Sequence, residues 1–449
     1  MCRGRCAADA RWRPFEEGHD TVEHIPDPTR AATAPLDLTR APGPVPAAGA
    51  ASAAPSTVMP TAAAAPTAGA ARPQDAPAAR RRIPLLDVAR ALAIIGVVLM
   101  NATTVVMAAE HAGDAASSTL ASVVDGGLNL LLSGKARALL MVLLGAGAVL
   151  AWRSARDRGG RPAVVMVRRY VVLGLLFGLP HLAVFSGDIL THYALTALAL
   201  APLLPLLLAG SRARPLVAAA VLFALAPVAE IVLDLGVWTM QVAPLPQTLA
   251  FFCVGVWLAR RPELDPRAAT DVPTRLPAVF IWTGVAAQVL GMAALYVRDL
   301  LFPLELDADG VPVNLTADGM IDVPAGSQMM VSLSETFSGL GGALFFLGLA
   351  WWLLRRDRTA ARLLQGLAPL GRITLTVYLA STAVFLLTMK PFEAEVPLLA
   401  QYGIVTTFLG VALLFAYLWQ RAFRVGPAEW VWRSLTHLRA VPFRRVHRP

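Results

Sequence analysis

A series of long apolar tracts limits this chain to one class of fold. From Arg80 onward, tracts of about 20 residues alternate with short polar connections. At about 1.5 Å per helical residue, such a tract crosses a hydrocarbon core of about 30 Å, and a helix satisfies its own backbone hydrogen bonds there. The sequence therefore predicts an all-α, polytopic membrane helix bundle with about ten transmembrane helices. The predicted spans are 86–108, 128–151, 168–187, 189–209, 215–235, 245–260, 276–297, 329–354, 368–389 and 398–420.

Composition agrees with a membrane protein. The chain is 56% hydrophobic and 15% charged, with a mean hydropathy of +0.58. One soluble core does not hide that many apolar side chains, so the lipid bilayer is the expected partner. In a membrane protein, arginines usually mark the cytoplasmic side, and this explains the net charge of +9. Nucleic acid is therefore not an expected partner.

Charges in the connections predict the orientation of the bundle. With ten spans, five basic segments fall on one side, which the positive-inside rule assigns to the cytoplasm. These segments are 78–82, 153–162, 210–215, 259–267 and 355–362. Opposite connections carry acidic residues, so both termini are predicted to be cytoplasmic. The acidic residues are Asp307, Asp309, Asp318, Asp322, Glu393 and Glu395.

The two ends of the chain differ from its middle. Residues 1–80 are rich in Ala and Pro without helical or strand periodicity, which predicts a disordered cytoplasmic tail before a transmembrane domain at 81–422. Residues 423–449 combine tryptophans with arginines, as expected for a cytoplasmic interfacial segment. Cys2, Cys6 and Cys253 are too scattered for a disulfide framework or a zinc site, so no metal is predicted.

The stretch "FGLPHLAVFSGDILTHYALTALAL" places His181, Asp188 and His192 inside apolar sequence. Such groups cost a few kcal/mol each in hydrocarbon unless they are paired or hydrated, so they are expected to find partners. If the fourth helix begins at Gly187, Asp188 and His192 share a face and hydrogen-bond. For Asp188, capping of the fourth helix is the plain alternative, and for His181 it is an interhelical hydrogen bond. Pro180 is expected to bend the third helix.

Further polar residues sit at similar depth in other predicted spans. They indicate an outward-open polar cavity, because lipid offers them no partners. They are Lys135, Arg137, Glu230, Asp234 and Glu335. Asp87, Arg90 and Asn101 form one stripe on the first helix, and a polar face on the ninth helix is expected to look inward or to pack closely. That face comprises Thr374, Tyr378, Ser381 and Thr382.

Five segments, in this order, resemble landmarks of a known family, the YeiB-like bacterial inner-membrane proteins catalogued as domain of unknown function 418. The segments are "RIPLLDVARALAIIGVVLMNA" (82–102), "KARALLMVLLGAGAVLAWR" (135–153), "RRYVVLGLLFGLPHLAVFSGDILTHYAL" (168–195), "LAPLGRITLTVYLAS" (367–381) and "RVGPAEWVWRSLT" (424–436). The resemblance implies a multi-pass protein of the bacterial cell (inner) membrane. It also implies distant similarity to transmembrane acyltransferases, which move an acyl group from a cytoplasmic donor to an acceptor beyond the membrane.

The family motifs and the polar spans together give the candidate site. The candidates are, as catalytic groups, His181 and Asp188 and, as substrate-binding groups, Asp87, Arg90, Asn101, Arg137, His192, Tyr193, Glu335, Arg372 and Tyr378. Ala91, Leu144 and Val377 depart from the residues usual in the family. The last departure weakens any polar role at that position.

Three functions from different classes fit these residues. In an acyltransferase, His181 oriented by Asp188 takes a proton from an acceptor, and Arg90 and Arg137 bind acidic parts of a donor or acceptor. The donor is then a molecule such as acyl-CoA, and the acceptor a lipid, a sugar or another small molecule. In a transporter or permease, the same groups relay protons. In a noncatalytic membrane scaffold, they only hold helices together.

Overall fold

The structure is a computed structural model that describes residues 83–106, 119–233, 235, 238–264, 274–303, 323–389 and 396–445. The predicted tail at 1–80, the basic segment 78–82, Asp234 and the acidic residues of the predicted outer connections lie outside these ranges.

The described residues form a helical bundle, as predicted. In chain order the helices are α1 (Pro84–Val106), α2 (Thr119–Leu132), α3 (Lys135–Asp157), α4 (Pro162–Val172), α5 (Leu179–Val184), α6 (Leu190–Leu208), α7 (Arg214–Val232), α8 (Thr239–Val242), α9 (Leu245–Ala259), α10 (Leu276–Leu301), α11 (Ala325–Arg356), α12 (Arg358–Gly371), α13 (Thr374–Thr388), α14 (Leu398–Ala422) and α15 (Pro427–His437). A π-helix, Leu173–Gly178, joins α4 to α5, and Pro262–Leu264 is a 3₁₀ turn.

Eight helical segments of the described chain are long and apolar enough to cross a membrane, and nine are if one bent pair counts as a single span. They lie where the sequence predicted spans. Two predicted spans have a different form, the sixth and the ninth. We call the end where α1, α4 and α7 begin the inner end, and the opposite one the outer end.

The sixth predicted span is α9, which has 15 residues and a length of about 22 Å. It is buried against α3 through two glycines. A Cβ on Gly255 would lie 2.0 Å from the Val142 carbonyl oxygen, and one on Gly145 would lie 2.1 Å from the Phe252 carbonyl oxygen. This close approach permits dense backbone packing in hydrocarbon, and it makes α9 a core element of the bundle.

The ninth predicted span is broken. α12 and α13 meet at 73° across Arg372 and Ile373. Asp357 caps α12 by accepting hydrogen bonds from the backbone N–H groups of Thr359 and Ala360. The start of α13 is capped by Glu429, which accepts from the N–H of Leu375 at 2.7 Å.

α15 packs into the inner end of the bundle rather than lying free of it. Glu429, Trp432 and Thr436 are buried, and the Trp432 indole N–H donates to the Arg169 carbonyl at 2.7 Å. Beyond α15 the chain turns back, and Phe423 pairs with Arg444 in an isolated β-bridge. The predicted interfacial segment 423–449 therefore contacts α4 and α13 through its helix.

The third predicted span changes helix type before the histidine. The π-helix Leu173–Gly178 comes immediately before α5, which carries Pro180 near its start. Proline lacks an N–H and its ring crowds the carbonyl four residues earlier, and one wider π turn relieves that crowding. Where the sequence predicted a bend at Pro180, the structure has a π-helical segment within one span. His181 lies on the interior side of α5, just after this segment.

Candidate functional site

His181 and Asp188 form a buried pair at the outer end of the bundle. The His181 Nδ1 lies 2.7 Å from Asp188 Oδ1, and the two side chains are 4% and 0% exposed. Because an ionised carboxylate only accepts hydrogen bonds, Nδ1 carries the proton in this pair. The other ring nitrogen, Nε2, is then available as an acceptor.

Helix α13 supplies the remaining partners of the imidazole. Thr382 Oγ1 lies 3.0 Å from Nε2, and its hydroxyl donates to that nitrogen. The Tyr378 ring lies 4.9 Å from the imidazole, and its hydroxyl oxygen accepts from the Ile189 N–H at 3.4 Å. A hydroxyl, an imidazole and a carboxylate therefore form one continuous chain across three segments of the bundle.

Asp188 also caps α6. Its Oδ1 accepts from the Leu190 N–H at 3.1 Å, and its Oδ2 accepts from the Thr191 N–H at 2.8 Å. Capping and pairing with His181 are therefore not alternatives, because one carboxylate does both. The backbone bonds fix the carboxylate, and the fixed carboxylate orients the imidazole.

His192 lies apart from this pair, so the predicted Asp188–His192 hydrogen bond is wrong. The His192 Nδ1 is 2.9 Å from the Gln241 carbonyl and its Nε2 is 2.6 Å from Thr248 Oγ1, so both ring nitrogens are engaged. The reason is that α6 begins at Leu190, so Asp188 lies before the helix and does not share an i, i+4 face with His192, which contacts α9 instead. The adjacent Tyr193 donates to the Arg137 carbonyl at 3.4 Å.

A cavity of about 480 Å³, here called the outer cavity, lies at the same end of the bundle as the His181–Asp188 pair. Three candidates, Asn101, Arg137 and Glu335, line it, and the Asn101 Nδ2 is buried without a hydrogen-bond partner. Further polar lining comes from Lys135, Gln247, Ser334 and Ser338. Gly187 and Ile189, the sequence neighbours of Asp188, also line the cavity, whereas His181, Asp188 and Thr382 do not.

Asp87, Arg90 and Arg372 line a second cavity at the inner end, of about 380 Å³ and here called the inner cavity. The Arg372 Nε donates to Asp87 Oδ2 at 2.8 Å, and Arg90 lies 3.9 Å from Asp87. The predicted first-helix stripe is thus divided, with Asp87 and Arg90 in the inner cavity and Asn101 in the outer cavity. The candidates do not line one shared chamber.

Sequence reasoning left several of these residues out of the candidate site. Thr382 was on the polar face of the ninth predicted span, but its contact with His181 joins positions 201 residues apart. Arg169, Glu429 and Trp432 also line the inner cavity. No sequence pattern singled out Arg169, because the positive-inside rule explains arginines near a span without a site. Within the described ranges, no group of three or more His, Cys, Asp or Glu is arranged to hold a metal ion.

Comparison with known proteins gives a family match. The family model described as "Protein of unknown function (DUF418)" matches residues 308–439, from before α11 to just past α15. An uncharacterized 39.9 kDa protein in the amylase 3' region of Bacillus acidopullulyticus is 26% identical over 367 residues, covering 80% of this chain and 95% of that protein.

Two further relatives extend the match. The uncharacterized protein YxaH of Bacillus subtilis (strain 168) is 26% identical over 392 residues, covering 80% of this chain and 94% of that protein. The uncharacterized protein YeiB of Escherichia coli (strain K12) is 35% identical over 120 residues, covering 26% of this chain and 29% of that protein. The resemblance to the YeiB-like DUF418 family found in the sequence is thereby confirmed, by the family model over residues 308–439 and by the similarity to YeiB over 120 residues.

Proposed function

We propose that this protein is a membrane-bound acyltransferase in which His181 is the general base. The observation that carries the proposal is the position of its imidazole, 2.7 Å from a carboxylate on one nitrogen and 3.0 Å from a hydroxyl on the other. A base held in one tautomer by a carboxylate, with a hydroxyl on its free nitrogen, is the arrangement that activates a hydroxyl for attack on an acyl carbon.

The reaction moves one proton and one acyl group. His181 Nε2 takes the proton of the attacking hydroxyl while the hydroxyl oxygen bonds to the acyl carbon. The bond from that carbon to the donor's leaving group then breaks, and the leaving group takes the proton from Nε2. Asp188 stays ionised and stabilises the imidazolium that forms between these steps.

The hydroxyl on Nε2 belongs to Thr382 in this structure. Thr382 is therefore the acyl carrier in a two-step transfer, or it gives way to the acceptor's own hydroxyl in a one-step transfer. Thr382→Val separates these routes, because it removes the hydroxyl and keeps the shape. A carrier role predicts loss of transfer in Thr382→Val and its retention in Thr382→Ser.

In this proposal the acceptor binds in the outer cavity, and its hydroxyl reaches His181 past Gly187 and Ile189 of the cavity wall. Arg137, Glu335 and Asn101 give it cationic, anionic and amide groups, which suit a polar acceptor such as a sugar or a lipid headgroup. The Asn101 amide lies against the Tyr378 hydroxyl and makes no other side-chain hydrogen bond. For the bundle as a whole, we propose the bacterial cytoplasmic membrane with the arginine-rich inner end in the cytoplasm.

The alternative is a transporter, which the two cavities at opposite ends also suit. Transporters commonly use the free N-terminus of a broken helix to bind an anionic substrate. The chain has such a broken helix at α12 and α13, but Glu429 already occupies the α13 N-terminus. That contact favours the enzyme.

The test is acyl transfer by membranes that contain the full-length chain. The radiolabelled donors are acetyl-, succinyl- and palmitoyl-coenzyme A, and label is counted in extracted envelope lipids and glycans. We expect label that depends on the protein, and a loss of about 100-fold or more in His181→Ala, since a positioned general base contributes roughly 10²–10⁴-fold. Asp188→Asn is expected to reduce transfer as well.

His192→Ala is the matched control, because it removes an equally buried imidazole that contacts α9. It reports what loss of a buried histidine does to the amount of folded protein. Normal labelling by His181→Ala at an equal amount of protein contradicts the proposal, as does the lack of protein-dependent transfer from all three donors. Solute uptake by proteoliposomes without any donor favours the transporter.

A further inference from the structure

Arginines outnumber carboxylates in the lining of the inner cavity. Two carboxylates, Asp87 and Glu429, face five arginines. The arginines are Arg90, Arg169, Arg372, Arg424 and Arg433. Clustered cations at the edge of a low-dielectric interior repel one another, and a bound anion removes that cost.

Both carboxylates are engaged within the protein. Asp87 holds Arg372 at 2.8 Å and is only 3.9 Å from Arg90. Glu429 accepts from the N–H groups of Leu375 and Thr376 and from the Thr376 hydroxyl at 2.6 Å. Asp87 is therefore shared by Arg372 and, at a longer distance, by Arg90, and Glu429 is committed to the start of α13.

Arg169 gives independent evidence for a missing partner. Its guanidinium contacts the Tyr170 hydroxyl, but its Nε is buried and has no hydrogen-bond partner, although most buried polar atoms have one. Its guanidinium lies 3.8 Å from the centre of the Trp432 ring, so the aromatic face holds it in place. A guanidinium with an unused buried donor on a rigid support is preorganised for a ligand.

We infer that the inner cavity binds a phosphate group. Arg90 and Arg169 hold the phosphate, and Arg372, which Asp87 positions, is a third guanidinium in the same cavity. Guanidinium groups offer paired N–H donors that match phosphate oxygens, and several of them converging suit a tetrahedral, multiply charged anion. A volume of about 380 Å³ admits a phosphate together with part of the molecule that bears it. This inference concerns the inner end and does not depend on the reaction proposed at the outer end.

The phosphate has two chemical sources that the inner end can reach. One is the headgroup of an anionic lipid in the adjacent leaflet, and the other is a soluble organic phosphate. Two probes separate them. Inorganic pyrophosphate is titrated against full-length protein in a neutral detergent, and phosphatidylglycerol is presented in nanodiscs and compared with phosphatidylcholine.

The variants are Arg169→Gln and Arg90→Gln, and binding is measured by titration calorimetry for pyrophosphate and by thermal shift for lipid. We expect each variant to weaken binding of the responding probe about tenfold or more, because a charge-assisted hydrogen bond is lost. Arg169→Lys retains the charge without the paired donors and is expected to fall in between. Size-exclusion profiles establish that each variant is folded.

Arg158→Gln is the matched control. Arg158 is exposed at the same end, bonds the Ser154 hydroxyl and does not line the inner cavity. It removes the same charge and is expected to leave binding within about twofold. Binding by neither probe overturns the inference, as does equal weakening by Arg158→Gln and Arg169→Gln, which indicates diffuse attraction instead of a site. A response to pyrophosphate assigns a soluble source, and a response to phosphatidylglycerol alone assigns a lipid.

Discussion

The hydrogen bond between His181 and Asp188 gives a quantitative test of the candidate site. Asp188→Ala removes a helix cap, which costs about 0.5–2 kcal/mol, and leaves a buried His181 N–H without an acceptor, which costs about 1–3 kcal/mol. The free energy of unfolding is thus expected to fall by roughly 1.5–5 kcal/mol. The assay is reversible unfolding in mixed micelles, followed by tryptophan fluorescence.

A double-mutant cycle separates the pair from the cap. His181→Ala, Asp188→Ala and the double variant are compared with the unmodified protein. Hydrogen bonds between membrane helices average about 0.6 kcal/mol, whereas bonds to charged groups contribute about 1.5–3 kcal/mol. Because Asp188 is fully buried and capping keeps it in place, we expect a coupling energy of about 1.5 kcal/mol or more.

A matched cycle of His181→Ala with Thr248→Ala is the control. Thr248 bonds His192 and not His181, so these two changes are expected to add within about 0.5 kcal/mol. A coupling energy below about 0.5 kcal/mol for His181 and Asp188 refutes the reasoning. The imidazole is then not held by the carboxylate, and the general-base proposal loses its positioning group.

Two further predictions concern the framework around the sites. Gly255→Ala places a Cβ 2.0 Å from a carbonyl oxygen of α3 and is expected to lower the free energy of unfolding by about 1–3 kcal/mol or more in the same assay. Gly403→Ala is the control, because there is open space around its Cβ, and it is expected to be nearly neutral. Equal stability of the two variants contradicts the packing argument. Burial raises the pKa of the Glu429 carboxyl above its ordinary value. The stability that Glu429 contributes is therefore fully present below the unfolded-state pKa and is lost as the pH rises through the raised folded-state pKa. The measurement is the melting temperature of the unmodified protein minus that of Glu429→Gln. We expect this difference to decrease from about pH 4 to about pH 8. A shift in the opposite direction refutes the assignment.

Hydropathy predicted the elements of this fold well, because length and apolar content are local properties. The tract at 189–209 corresponds to Leu190–Leu208, and that at 398–420 to Leu398–Ala422. The direction in which a helix runs depends on its packing against other helices, so it is not a local property of the sequence. The 73° turn between α12 and α13 lies inside one apolar tract, and a hydropathy average does not register it.

The site was predictable only where sequence spacing fixed the geometry. His181 and Asp188 are seven residues apart across one tight hairpin, so the sequence placed them together. The Asp188–His192 hydrogen bond required Asp188 to lie within the helix, whereas α6 begins at Leu190 and Asp188 caps it. The contact of Thr382 with His181 depends on the packing of α13 against α5, which no local pattern encodes.

The break before α13 has a mechanical consequence. At about 22 Å, α13 is too short to reach both faces of the membrane. Its first turn is capped by Glu429 of α15. Tyr378 and Thr382 lie about one and two turns further along α13 than the capped residues. Because α13 is one helix of 15 residues, a displacement of α15 is expected to change the position of the Thr382 hydroxyl that contacts the imidazole.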